Sequence, residues 1–201
     1  MRENRLHVSA GAILCGAALY YLSTPEEAAA LLLPVVCHEL GHIVALAILG
    51  LEIRGFRVEL KGFCIEYGGF TGAAGHSFAA AAGPLAGISY ALTAAALSSR
   101  LDMCWLALSS GISLLLSLFN LLPALPLDGG RIFSALACAF LGERAGAVLT
   151  EAVGLAVGAL LLSAGILLML HGQGIALTLA AIWLLFYQEA GQGIVKMREM
   201  I

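Results

Sequence analysis

The chain has 201 residues, of which 61% are hydrophobic and 11% charged, with a net charge of −3. Soluble domains carry about 25% charged residues, so too little charge is present to clothe a water-facing surface, and soluble, disordered and nucleic-acid-binding classes are all but excluded. With a mean hydropathy of +0.96, the composition is that of an integral membrane protein whose surroundings are the lipid bilayer.

A bilayer core of about 30 Å asks for roughly 20 apolar residues per helix. Such runs lie at about residues 8 to 23, 28 to 50, 77 to 99, 103 to 122, 146 to 170 and 174 to 190. They predict about six transmembrane helices and an all-α polytopic membrane protein, with residues 1–201 as one domain. The first run follows Arg2 and Arg5, but no small-x-small cleavage site precedes Ser23-Thr24-Pro25, so it is read as a retained helix rather than a signal peptide. After the second run, residues 52–67 alternate by twos about Gly62, with Val58, Leu60, Phe63, Ile65 and Tyr67 on the apolar side. This predicts a small membrane-associated β-hairpin, about 52–70, on the inner face. After the fourth run, Asn120 to Gly130 holds Pro123, Pro126, Gly129 and Gly130 and is expected to leave the helix. Arg131 to Leu141 then reads as an interfacial or re-entrant helix capped by Gly142. Cys15, Cys37, Cys64, Cys104 and Cys138 form no CxxC pair and read as small hydrophobes, not as a disulfide or zinc framework.

Lysine and arginine concentrate in cytoplasmic loops near helix ends. With the amino terminus inside, the inner segments take Arg2, Arg5, Arg54, Arg57, Lys61, Arg131, Arg144, Lys196 and Arg198, nine of the ten basic residues; Arg100 alone falls outside. Both termini are therefore expected in the cytoplasm.

Ionisable side chains inside a span are costly and are functional hypotheses by default. Here they cluster as His38-Glu39-Leu40-Gly41-His42 within an apolar run. Residues four apart share a helical face, so His38 and His42 can offer two imidazoles to one zinc ion. Glu39 stands one position round, placed to take a proton from an attacking water. A catalytic zinc takes three protein ligands. Asp128 is the candidate third, the one carboxylate in a nonhelical segment able to turn back toward the bundle; it can equally cap the helix that follows. His7, His76 and His171 fall at span edges and read as solvated. His42 lies about eight residues, on the order of 12 Å, from the inner end of its helix, which puts the site nearer the cytoplasmic side. The small residues from Ala79 to Gly87 suit close packing against the HExxH helix.

Together these residues resemble the site-2 protease (M50) family of intramembrane zinc metalloproteases, and within it the branch typified by the stage IV sporulation protein FB. The matching pieces are His38-Glu39-Leu40-Gly41-His42, Gly83-Pro84-Leu85-Ala86-Gly87, and Asn120-Leu121-Leu122-Pro123 through Leu127-Asp128-Gly129-Gly130. The resemblance covers about residues 8 to 190. It implies zinc held by His38, His42 and Asp128, water activated by Glu39, and a substrate cleft lined by Asn120 and Pro126. It also implies regulated intramembrane proteolysis in the cell membrane. A peptide bond in or near a transmembrane segment of a membrane-associated protein would be hydrolysed, with a transcription factor precursor in a sporulation setting favoured and regulatory membrane proteins as partners. One departure is that many members of that branch carry a cytosolic CBS domain after the last helix, whereas this chain stops at Ile201; no PDZ domain is found either. The hairpin offers a strand edge for an extended substrate, or simply packs on the membrane surface. The competing expectations are an ion transporter and a catalytically silent membrane regulator.

Overall fold

A computed structural model describes residues 5–59, 62–69, 72–173 and 175–198. In chain order they form β1 (Arg5–Val8), α1 (Ala10–Leu22), α2 (Pro25–Ile48), β2 (Glu52–Glu59), β3 (Gly62–Gly68), α3 (Ala73–Leu101), α4 (Cys104–Asn120), α5 (Asp128–Leu141), α6 (Glu143–Leu170) and α7 (Ile175–Arg198). The protein is mostly helical, and its helices fall on the six apolar runs and on the expected short run after Asn120. By length and composition α2, α3 and α6 can each cross a membrane, and Ile13–Leu22, Cys104–Asn120 and Ile175–Gln188 are shorter apolar stretches. Large apolar side chains face outward on several helices, among them Leu115 at 70% and Leu160 at 72% exposure. Outward leucines on this scale are what a lipid-facing surface requires. The chain divides into two compact units, Met1–Leu118 and Phe119–Ile201.

In the first unit, α2 starts on a capping box. The backbone N–H of Thr24 donates to Glu27 at 2.8 Å and that of Glu27 donates back to the Thr24 hydroxyl at 3.3 Å, while Pro25 takes the first turn, where its missing N–H costs nothing. After α2, Gly50 adopts φ +68°, a left-handed conformation that glycine reaches without a Cβ clash, and the chain turns into β2.

The hairpin of β2 and β3 is present and antiparallel, with Arg54 as the extra residue of a bulge between the Ile53–Tyr67 and Gly55–Glu66 pairs. It is not alone, because β1 pairs in parallel with β2, Arg5 opposite Gly55 and Val8 opposite Val58. The sheet is therefore three-stranded in the order β1-β2-β3. Hydropathy assigned Val8 to the first helical run. Pairing overrides that, since residues 5–8 supply backbone partners to Gly55–Val58 on the edge of β2 away from β3. The expected apolar side of the hairpin, Val58, Leu60, Phe63, Ile65 and Tyr67, lies outside the described side chains.

α3 and α4 are joined by serine hydroxyls. Ser110 donates to the Ala91 carbonyl at 2.7 Å and Ser113 to the Gly87 carbonyl at 2.8 Å, while the Ser109 and Tyr90 hydroxyls share a hydrogen bond of 2.7 Å. Ser109, Ser113 and Ser117 recur every four residues and are wholly buried. Between helices in lipid, such bonds and close small-residue contacts replace the hydrophobic drive available in water.

In the second unit, Ala124, Leu127 and Leu184 form a buried cluster supported by Phe119, Leu122, Val157, Leu161 and Trp183. The Leu125–Pro126 peptide bond is cis. Gly129 and Gly130, expected to break the helix, instead lie in the first turn of α5. A Cβ on either would collide with the backbone of Leu121 or Ala124, so these glycines serve close approach rather than termination. α5 ends at Gly142, φ +83°, as expected.

Candidate metal centre

His38 and His42 stand one turn apart on α2, where the four-residue spacing aims both rings the same way. His38 is 5% exposed and His42 is half-buried. Their Nε2 atoms are 3.3 Å apart, with ring planes at 78°. Two nitrogens at about 2.0 to 2.1 Å from a tetrahedral zinc ion would lie about 3.3 to 3.4 Å apart. The pair therefore has the spacing of two adjacent corners of a zinc coordination shell.

The opposite nitrogen of His42 sets its tautomer. Nδ1 lies 2.8 Å from the Ala79 carbonyl oxygen, and a carbonyl only accepts, so Nδ1 carries the proton and Nε2 presents its lone pair. Metal-binding histidines are oriented in this way by a partner on the far ring nitrogen. Next to Ala79, the Ala80 carbonyl lacks its usual helical donor because Pro84 has no N–H.

Glycines bring α2 and α3 together at this level. A Cβ on Gly41, between the two histidines, would fall 2.7 Å from the Ala86 methyl and onto the Ala82 carbonyl; one on Gly83 would strike the His42 ring. The expected packing of residues 79–87 against the HExxH helix is thus present. Sequence reasoning missed the Ala79 carbonyl, a backbone group with no sequence signature, and gave no role to Gly41. The appearance of Gly41 inside the motif was the signal for it.

Glu39 is half-buried beside His38 on α2. The remaining expected site residues belong to the second unit. Asn120 ends α4 and Pro126 follows the cis bond, both half-buried. Asp128 is the first residue of α5 and 6% exposed. The cap position is Leu127, without a side-chain cap bond, so Asp128 is not the cap that the sequence left open. Its carboxylate sits at a helix N-terminus, where negative charge is favoured, 3.9 Å from the exposed Arg131 guanidinium.

Comparison with known proteins agrees with these features. Residues 75–165 match the model of peptidase family M50, a stretch from α3 into α6 that includes Asp128 and leaves out the two histidines. A solved site-2 protease from Methanocaldococcus jannaschii superposes with a TM-score of 0.68 at 25% identity, over 92% of this chain and 89% of that one. The comparisons support the M50, or site-2 protease, family. A candidate zinc metalloprotease of Synechocystis sp. is 28% identical over 138 residues, 65% of this chain. The chain spans 36% of the length of that relative. Family M50 is a family of metallopeptidases, so the donor set of two converging imidazoles on α2 is the kind its likeness calls for.

Proposed function

We propose that the chain is an intramembrane zinc metalloendopeptidase of the site-2 type, in a multi-pass membrane setting. The observation that carries this reading is the 3.3 Å spacing of the His38 and His42 Nε2 atoms, with His42 locked by the Ala79 carbonyl. His38, His42 and Asp128 would hold zinc. When bound, zinc supplies a Lewis acid that polarises a carbonyl and acidifies water. Glu39 then acts as general base, taking the proton of the attacking water and returning it to the leaving amine as the C–N bond breaks. Asn120 and Pro126 line the cleft that receives the substrate.

The substrate in this reading is a membrane-associated protein cut in or near its transmembrane segment. A transcription factor precursor, released by regulated proteolysis during sporulation, is the form favoured by resemblance to the sporulation branch, and regulatory membrane proteins would act as partners. Six crossings with both termini in the cytoplasm put the site nearer the cytoplasmic face. A helix shields its carbonyls, so the scissile segment must be extended before attack. β2 is paired on both sides, which among the described residues leaves β3 as the hairpin strand with an edge open for β-addition.

The test is zinc per chain in detergent-purified protein, wild type beside His38→Ala and Asp128→Ala. Near-stoichiometric zinc in the wild type, lost or much reduced in both variants, is the expected result. A well-folded wild type without zinc would overturn the reading in favour of an ion transporter or a silent regulator.

A further inference from the structure

Asp128 and Arg131 are the only charged residues between Asp102 and Glu143, and α5 places them one turn apart. Nη1 of Arg131 stands 3.9 Å from Oδ1 of Asp128, with the arginine side chain 60% exposed and the aspartate 8%. Hydrogen bonds from a guanidinium to a carboxylate close to about 2.7 to 2.9 Å. The two groups are therefore near each other but not joined, and among the described residues the Arg131 side chain has no other partner.

An arginine at the edge of a membrane protein ordinarily carries its head out to the headgroup layer. Arg131 instead keeps its head beside a carboxylate that is almost wholly buried, while most of its side chain stays accessible. The 3.9 Å gap is close to the rise of one residue in an extended chain, about 3.3 Å. Whatever extended peptide lies at Asp128 thus has its neighbouring side chains within reach of the guanidinium.

The inference rests on the protease reading, in which the charge of Asp128 is committed to a metal dication. Arg131 then loses its counter-charge. A guanidinium keeps its own charge, and leaving one ion of a pair uncompensated beside a low-dielectric interior is costly. Its planar fork of donors matches a carboxylate in bidentate geometry. We infer that Arg131 is a specificity-determining residue that selects an Asp or Glu side chain within about one to three residues of the scissile bond. The substrate class narrows to membrane-associated polypeptides with an acidic residue at the cleavage site.

The test uses full-length protein reconstituted in phosphatidylcholine vesicles with a single-span model polypeptide whose cleavage site has been mapped by mass spectrometry. Glu, Gln or Lys is placed in turn at each of three positions on either side of that site. With the wild type, Glu should exceed Gln in kcat/KM by about 10-fold at one or two positions, the lower end for hydrogen bonds to charged groups, and Lys should fall below Gln. Arg131→Lys should keep that order with a smaller ratio, and Arg131→Glu should reverse it at the same positions. Zinc affinity from chelator competition should be unchanged or higher in Arg131→Gln, because a cation beside Asp128 has been removed. No charge preference in the wild type, or the same order in Arg131→Glu, would overturn the inference. Weakened zinc binding in Arg131→Gln would also overturn it and make Arg131 a support for Asp128. A dependence on Arg131 seen only with phosphatidylglycerol in the vesicles would overturn it by assigning the guanidinium to lipid phosphate. The protease reading survives each of these results. A wild type that holds zinc but cleaves none of the polypeptides would overturn that reading, and this inference with it.

Discussion

Replacing Gly83 by alanine tests how His42 is seated. The added methyl would lie 2.5 Å from Cε1 and 2.8 Å from Cδ2 of the His42 ring and would overlap its Nε2. Carbon atoms rest at about 3.5 to 4.0 Å, so the ring must retreat by about 1 Å. That movement breaks the 2.8 Å bond from Nδ1 to the Ala79 carbonyl and turns Nε2 away from His38. Overpacking of this kind costs about 1 to 3 kcal/mol, and loss of the partner behind a metal-binding histidine lowers metal affinity about 10- to 100-fold. The assay is competition for zinc against a chelator in purified protein, with Gly16→Ala as the comparison, since nothing lies within 4 Å of a Cβ there. Gly83→Ala should lose zinc affinity about 10- to 100-fold and Gly16→Ala should not. Wild-type affinity in Gly83→Ala, with an unshifted thermal midpoint, would refute the argument.

At the next turn of α3, a Cβ on Gly87 would strike the Ser117 hydroxyl but stand 3.6 Å from the Ser117 Cβ. Gly87→Ala should therefore destabilise the protein by about 1 to 3 kcal/mol, and Ser117→Ala in the same chain should restore most of it; thermal unfolding of the two single variants and the double variant checks the coupling. Glu39→Gln should keep zinc and lose turnover by at least about 100-fold, the lower end of general-base contributions, and full cleavage by that variant would remove Glu39 from the mechanism. Prolines placed in turn from Phe63 to Tyr67 on β3 should harm cleavage and folding with a period of two. Those facing β2 disrupt the sheet, whereas those facing the open edge block substrate pairing in a folded protein; uniform tolerance at the open edge would end the β-addition idea.

What could be read in the residues alone was local. The spacing of His38 and His42 is a property of any α-helix, so their shared face followed from 3.6 residues per turn. The apolar runs located the helices because a span in lipid must satisfy its own backbone, and helix formation does so within one segment. The Thr24–Glu27 bonds that start α2 are as local, reaching only three residues along the chain, although the apolar run by itself put the start of the helix at about residue 28 instead of Pro25. Contacts between distant segments were another matter. β1 joins residues 5–8 to residues 55–58, and nothing in a four-residue stretch states which edge it will meet. Gly129 and Gly130 looked like helix breakers because their composition is that of a turn, yet the approach of residues 121–125 decided that they belong to α5. The tautomer of His42 likewise depended on a carbonyl 37 residues away. Every residue carries such a carbonyl, and only the packing of α3 on α2, permitted where Gly41 and Gly83 lack side chains, selected the one at Ala79.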